Sequence, residues 1–600
     1  MRKPGKKLAI AGCLLLGCSG LLAGCGTSTA STSHAAPLYF LDTWDYNAGL
    51  TPMNGNSVSA IMNGLVTTDL AMQLQDNNRY YPEIASRWTQ TGRTLTVYLR
   101  PNAKWSNGTP LTATDVKMSV ELGYIFGYST ASRLAAIHIV NPHEIQFVEN
   151  TNFPYFAHDL LALTPLYPAS EYAHLVPANI AQIYQTSLGS GNAANEASNA
   201  ISALSKKITA YKSNYFLGDG PYSIKSMTSG EAILTKNPYF WNAGAVKVPE
   251  IVAYNVPGNA QAWGYFLGGK ADFGSYVAPP TIMKEWLAKT THHFVKPNAF
   301  AQATLVFNPD VYPFNLVKVR QAMAYIINRK AITHIAEPVI GHWVRRPSGA
   351  FFSLTKHQYL TATQYDSLNP YLPNTRKAAK LLEEAGFHKS GSQWVMPDGK
   401  PFTTQVVIPS GFSDWLMASQ EIATELTNFG ITTSARAVEQ SSYWNAFDEN
   451  PGGYPIFMNF GGGSPLPYFQ MTNFLSWFGY SRTPSGGVSH SKGYISMGGG
   501  QHITLPNGTT VDVPKAGYQL ADASLYPSRE SALVYNIAKA LNQTMVAEGL
   551  WNYTGNYMYS TDRYVGWPSP NSPDWTPYNN DNGEEVLAFF ISQGLLQPAP

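Results

Sequence analysis

His292 and His293 are the only two adjacent imidazoles in the chain, and imidazole is the side chain best suited to hold a transition metal or move a proton near neutral pH. Neighbouring residues of an extended segment point to opposite faces, so the pair cannot converge on one ion, and two exposed polar histidines are the expectation. Other chemistry was sought by spacing. The chain contains no H-E-x-x-H, no G-x-S-x-G and no P-loop, which removes the zinc-helix, nucleophile-elbow and phosphate-cradle signatures. Gly189-Ser190-Gly191 resembles the start of a dinucleotide fingerprint, but no strand feeds it and no third glycine follows. Scattered Asp, Glu and Ser leave a triad assembled from distant loops open. The pattern as a whole points to binding, with no catalytic site, cofactor or metal expected.

One thiol does have a setting with chemical meaning. Arg2, Lys3, Lys6 and Lys7 precede an apolar run from Leu8 to Leu22, too short to span a bilayer and right for an export signal. Leu22-Ala23-Gly24-Cys25 closes it and resembles a bacterial lipobox, in which the cysteine sulfur is diacylated and the leader is cut away before it. Residues 1–24 are therefore expected to be a signal peptide and Cys25 the lipidation site, with 25–37, rich in Ser, Thr, Ala and Gly, a flexible tether. Cys13 and Cys18 lie in the leader, so the processed chain would keep no cysteine pair for a disulfide. Without the four leader cations, 36 Lys and Arg face 38 Asp and Glu. That near-neutral balance argues against a nucleic-acid partner. Only 13% of residues are charged, so much of the surface must be solvated by neutral polar groups, which suits an extracellular and even an acidic setting.

The elements behind these residues are legible where periodicity is strong. Leu95, Val97 and Leu99 alternate with Thr96, Tyr98 and Arg100, the period of a strand with one buried face. Ser106-Asn107-Gly108 supplies a turn, and Thr112 three residues before Asp115 reads as a capping box opening a helix. Leu38, Phe40 and Leu41 predict a first strand, and Ile139, Ile145 and Phe147 another strand region. Residues 186–200 read as a polar loop. Two strands joined at Ser229-Gly230 follow the glycines of Leu217-Gly218-Asp219-Gly220-Pro221-Tyr222. Val319, Ala322, Met323 and Ile326 share one helix face, and Ala378, Leu381, Leu382 and Ala385 another, capped by Thr375 and ended by Gly386. Trp394–Ile408 reads as a hairpin turning at Asp398-Gly399, and 479–526 as a surface elaboration with a hairpin at Asn507-Gly508.

Five of these stretches, in this order, resemble the extracytoplasmic solute-binding proteins of ABC importers, family 5, the peptide/nickel/opine type. They are Trp105-Ser106-Asn107-Gly108 through Asp115-Val116, the Gly218–Tyr222 segment with Asn237-Pro238-Tyr239-Phe240-Trp241, Phe266–Asp272, Val319-Arg320-Gln321-Ala322, and Ala378 through Gly386-Phe387. The resemblance implies an α/β, two-lobed type II periplasmic-binding-protein fold with an additional subdomain in the first lobe. It divides the chain into a first domain at 38–70, 209–300 and 560–600, a second at 71–208 and a third, the second lobe, at 301–559. It implies a monomer, tethered by lipid outside the cell, that captures an oligopeptide or another oligomeric small solute and hands it to an ABC permease and its ATPase. Oligosaccharide is the runner-up ligand, with nickel binding or sensing behind it. The lobes would hinge where the chain crosses near Thr304–Phe307 and Tyr557–Val565.

Ligand-facing candidates follow from the same resemblance: Trp44, Tyr46, Tyr276, Trp444, Phe460, Gly461, Gly462, Trp551 and Tyr553. Trp44 and Tyr46 read equally as packing aromatics. In oligopeptide-binding relatives an aspartate in a "G-W-x-x-D" context after a second-lobe strand pairs with the peptide's α-amine. Here that strand is Tyr454–Phe460, and Gly461-Gly462-Gly463-Ser464-Pro465 follows, with glycine or serine in the aspartate's place. An ammonium buried without a counter-charge is costly, so no free N-terminus should be required unless a carboxylate such as Asp45 or Asp448 reaches in.

Overall fold

The computed structural model describes residues 36–44, 63–75, 78–128, 130–211, 216–351, 359–449, 453–483, 487–491, 494–498, 501–577 and 583–600. Three sheets carry the architecture, each built where β-branched and aromatic residues alternate or run together. The first has seven strands in the order His292–Val295, Tyr557–Ser560, Phe273–Ser275, Leu38–Asp42, Glu250–Asn255, Glu231–Lys236, Tyr222–Met227. Leu38–Asp42 sits at its centre, parallel to both neighbours, and is buried at four of its five residues, as a strand covered on both faces must be. The C-terminal helix Glu584–Ser592 packs into the same core, with Phe589 against Tyr81 and Phe590 against Trp575.

Four antiparallel strands form the second sheet, Ala85–Thr91, Thr94–Leu99, Glu144–Glu149 and Leu134–Asn141. Its covering helix Ala113–Phe126 starts with the expected capping box: Thr112 and Asp115 each bond the other's end of the first turn, and the other Asp115 oxygen accepts from the Ala169 amide at 2.9 Å. Asp115 is thus a structural carboxylate. The third sheet runs Gly341–Trp343, Ala547–Thr554, Asn298–Phe307, Ile456–Gly462, Thr403–Pro409, Thr432–Val438. It forms the second lobe with the helices Val317–Ile326, Ser413–Phe429 and Pro527–Thr544.

Two short crossings join the first and third sheets. One is Lys296-Pro297, between His292–Val295 and Asn298–Phe307; the other is Gly555-Asn556, between Ala547–Thr554 and Tyr557–Ser560. They lie side by side, because the Gly555 amide donates to the Pro297 carbonyl at 2.6 Å. Thr304–Phe307, expected at the crossing, is instead the far end of the strand Asn298–Phe307, paired on both sides and remote from Lys296-Pro297. The strand is longer than its apolar end suggested, since Asn298–Gln302 extends it with residues whose alternation is weak.

Gly218 and Gly220 bear out the tight backbone course: a Cβ there would lie 2.1 Å from the Val66 carbonyl oxygen and 2.7 Å from that of Leu65. Other expectations need correction. Residues 192–209 form a helix, not a loop, because alanines at high helix propensity outweigh the interspersed Asn and Ser while Ala194 and Ile208 anchor its inner side. Asn374, not Thr375, caps the helix Thr375–Glu384, accepting from the Lys377 amide at 2.9 Å. Thr403–Pro409 leaves the turn at Asp398-Gly399 to join the third sheet, parallel to both neighbours. Ile139 is 41% exposed, on the outer face of an edge strand. His292 is buried, its ring stacked 3.7 Å from that of Trp286, whereas His293 lies on the other face against Tyr559.

Candidate functional site

A cavity of about 970 Å³ lies between the first and third sheets, beside the two crossings, with Ser275, Tyr276 and Tyr557 on one wall and Asn298, Phe460 and Tyr553 on the other. Its second-lobe wall is an aromatic cluster made by three elements. The loop before Ser413–Phe429 brings Phe412, the strand Ile456–Gly462 brings Phe460, and the strand Ala547–Thr554 brings Tyr553. The Phe460 ring lies 4.7 Å from Trp415, 5.9 Å from Phe412 and 6.1 Å from Tyr553, and remains 36% exposed toward the cavity. Trp444, half-buried, packs edge-on to Trp415. Flat apolar surfaces of this kind give a ligand contact area at little entropic cost. Neutral amides, Asn298, Asn459, Asn473 and Asn556 among them, occupy much of the rest.

The strand end that carries Phe460 turns at Gly462 and Gly463, both with φ of +91°, a conformation closed to most L side chains. Gly463 is then held by its amide to the Phe300 carbonyl at 2.7 Å. On the first-lobe side Tyr276 is fixed by its hydroxyl donating to the Val256 carbonyl at 2.9 Å.

Asp414 is the single carboxylate on the cavity wall among the described residues, and no Lys, Arg or His joins it there. It is 2% exposed and accepts from the Tyr553 hydroxyl at 2.6 Å, which in turn accepts from the Trp415 indole at 2.8 Å. Burial raises this carboxyl to about 6, against the pull of the Tyr553 hydroxyl and of the first amides of its own helix. Glu337, behind it and 1% exposed, is raised by burial and by the Asp414 charge.

The lobes touch on both sides of the cavity. Asn259, at the start of the first-lobe helix Asn259–Leu267, donates from its side chain to the Ser413 hydroxyl at 3.0 Å and from its amide to the Gly411 carbonyl at 3.2 Å. Farther out, Tyr155 stacks on Tyr468 at 5.5 Å and His158 meets Phe469 at 5.3 Å.

Of the residues singled out in the sequence, Tyr276, Trp444, Phe460, Gly461, Gly462 and Tyr553 meet around this cavity. Two do not. Trp44 is 7% exposed, with its indole donating to the Thr228 carbonyl at 3.1 Å, and turns into the first-lobe core while its neighbour Thr43 reaches the cavity. Trp551 is fully buried two residues deeper along the strand whose end presents Tyr553. Tyr46, Asp45 and Cys25 lie outside the described residues, as does the side chain of Asp448. Phe412, Asp414, Asn459 and Trp477 were missed. Asp414 follows a serine at a helix start, where an acid reads as a complement to the helix dipole.

Among the described residues no group of three or more His, Cys, Asp or Glu could hold a metal ion, and no helix is long and apolar enough to cross a membrane. The family model of bacterial extracellular solute-binding proteins, family 5, matches residues 79–482. The periplasmic oligopeptide-binding protein OppA of Haemophilus influenzae is 24% identical over 343 residues, 56% of this chain and 59% of that protein, so the match spans about six tenths of its relative. Among solved structures, a periplasmic oligopeptide-binding protein of Thermotoga maritima with mannohexaose bound superposes with a TM-score of 0.73 at 19% identity, covering 94% of this chain and 98% of that one. The oligopeptide-binding protein AppA of Bacillus subtilis, in complex with a nonapeptide, gives 0.68 at 15% identity over 94% and 99%. The two-lobed α/β fold with its extra subdomain is therefore that of the periplasmic binding proteins. Since the model covers more than half of the sequence, the chain belongs to the bacterial extracellular solute-binding proteins of family 5.

Proposed function

We propose that this protein is the solute receptor of an ABC importer, tethered outside the cell through lipid on Cys25, and that it captures oligopeptides for delivery to the permease. The cavity of about 970 Å³ between the first and third sheets carries this reading. That volume lies at the upper end of the range of roughly 300–1,000 Å³ for small-molecule sites, so it suits an oligomer of a few units better than a single amino acid. Many side-chain amides and few charges around it suit a ligand whose own backbone presents amides. The adjoining crossings at Lys296-Pro297 and Gly555-Asn556 would let the lobes part to admit it. The receptor would release its solute unchanged, with transport energy coming from the importer's ATPase.

An oligosaccharide is the second reading, supported by the exposed Phe460 face beside Trp444 and by the mannohexaose in the Thermotoga maritima neighbour. Calorimetric titration with a randomised tripeptide mixture and with manno- and cello-oligosaccharides tests the two. Heat with peptides alone is the expected result. Heat with sugars alone would replace the peptide reading by the second, and conversion of either solute on incubation would mean an enzyme.

A further inference from the structure

We infer that Tyr155 and Tyr468 form the centre of an outer clasp, a conformational device that holds the two lobes together away from the solute and sets how long any solute is kept. This role depends on the lobes moving about the paired crossings and not on which solute is bound. Phe153 and Tyr155 follow the strand Glu144–Glu149, and His158 lies on the next helix, Phe156–Ala162. Tyr468 and Phe469 open the helix Pro467–Trp477, which follows the second-lobe strand Ile456–Gly462. Ring contacts join the two groups. Tyr155 stacks on Tyr468 at 5.5 Å with the planes 19° apart, and meets Phe469 at 5.0 Å. Phe153 stands edge-on to Tyr468 at 5.7 Å, and His158 lies 5.3 Å from Phe469. These separations fall in the range of about 4.5–7 Å at which aromatic pairs attract.

The first-lobe half is held in place without help from the second lobe. Glu149 accepts from the Phe153 amide at 2.8 Å, the Arg133 guanidinium covers the Phe153 ring at 3.8 Å, and the Tyr80 hydroxyl meets His158 Nδ1 at 2.8 Å. The unit that carries these rings is tied in turn to segments of the first sheet: the Trp241 indole donates to Glu83 at 3.1 Å, and the Ser106 amide to the Gly218 carbonyl at 2.8 Å. Burial lowers the His158 imidazole to about 4, so at neutral pH the ring packs on Phe469 with no charge to desolvate. Rings preset in this way meet their partners at little entropic cost, and Phe153 and Tyr468 belong to one continuous buried apolar cluster. The clasp differs in kind from the other contact between the lobes. Water replaces the Asn259 bonds to Ser413 and Gly411 when the lobes part, whereas parting the rings exposes apolar surface at a net cost. Of these rings Phe469 alone reaches the cavity wall. A contact that touches no solute favours the closed form equally for every solute.

Solution scattering and release kinetics on the full chain test the clasp. Tyr155→Ala/Tyr468→Ala removes the contacts of both tyrosines, and Tyr155→Phe keeps the ring as a control. Without added solute the double variant should have a larger radius of gyration than the native protein, by more than Asn259→Ala gives, and Tyr155→Phe should match the native value. Trialanine and trileucine serve as probes, replaced by mannotriose and mannohexaose if sugars are what binds. Both probes of the pair that binds should leave the double variant faster by one common factor of about tenfold or more, since each lost aromatic pair shifts an equilibrium by roughly two- to tenfold. A folded double variant as compact as the native protein overturns the clasp, as does an unchanged release rate or an enlarged Tyr155→Phe. Unequal factors for the two probes overturn it as well, because they put the rings against the solute. If the double variant does not fold, Tyr155→Ala alone is held to the same criteria. Where no probe binds, the solute reading fails and scattering alone still decides the clasp.

Discussion

Replacing Arg320 by methionine should destabilise the second lobe by about 2 kcal/mol, a figure that follows from what its guanidinium does. Arg320 is fully buried in the helix Val317–Ile326. Its Nε donates to the Thr544 carbonyl at 2.8 Å and its Nη1 to the Phe314 carbonyl at 2.6 Å. Thr544 is the last residue of the helix Pro527–Thr544, so the cation sits on the negative end of that helix, and Gln321 beside it donates to Gln543 at 2.7 Å. Two hydrogen bonds from a charged donor contribute about 3–6 kcal/mol together. Against this, burial pushes the guanidinium down from 12.5 to about 10, so keeping it charged costs about 3 kcal/mol, a cost that methionine removes while filling most of the stem's volume. The balance favours arginine because two carbonyls would otherwise lose their donors. Urea unfolding followed by tryptophan fluorescence, with Trp394, Trp415 and Trp551 in the affected core, would report the change as a lower midpoint at constant slope. If Arg320→Met unfolds at or above the native midpoint, desolvation outweighs the bonds and the capping argument is refuted.

Burial raises Asp219 and Glu83 in the first lobe to about 7, so the folded chain keeps their protons to a higher pH than the unfolded chain does. The stability they add is complete below about pH 4 and is lost as pH rises toward 7, and the thermal midpoint should climb on acidification from pH 7 to 5; a flat or falling midpoint contradicts this. Phe460→Ala should weaken solute binding by about tenfold or more while leaving the melting curve nearly unchanged, because the ring is 36% exposed to the cavity; a large drop in stability with unaltered affinity would make it a packing residue. In solution scattering, saturating solute should reduce the radius of gyration, and Asn259→Ala, which removes the bond to Ser413, should enlarge the solute-free form; identical curves would mean lobes that do not move about the paired crossings. Cys25→Ser expressed in a Gram-positive host should move the protein from the membrane fraction to the medium, and retention in the membrane would exclude the lipid anchor.

Local pattern was enough for what near neighbours decide. The strand Leu38–Asp42, the capping box of Thr112 and Asp115, the hairpins at Ser229-Gly230 and Asn507-Gly508, and the buried face of Val317–Ile326 depend on residues a few positions apart, and the sequence alone determined them. Resemblance of five stretches to known solute-binding proteins carried the family, and with it the general place of Tyr276, Trp444, Phe460 and Tyr553. Tertiary structure decided which way a side chain faces once distant segments meet. His292 and Trp551 are buried and Ile139 exposed because of pairings made across the sheets. Trp44 and Tyr553 are both aromatics near strand ends, yet one turns into the core and the other onto the cavity. Asp414 shows the limit most plainly: its partner Tyr553 lies 139 residues away, and only the closing of the third sheet brings the two together on the cavity wall.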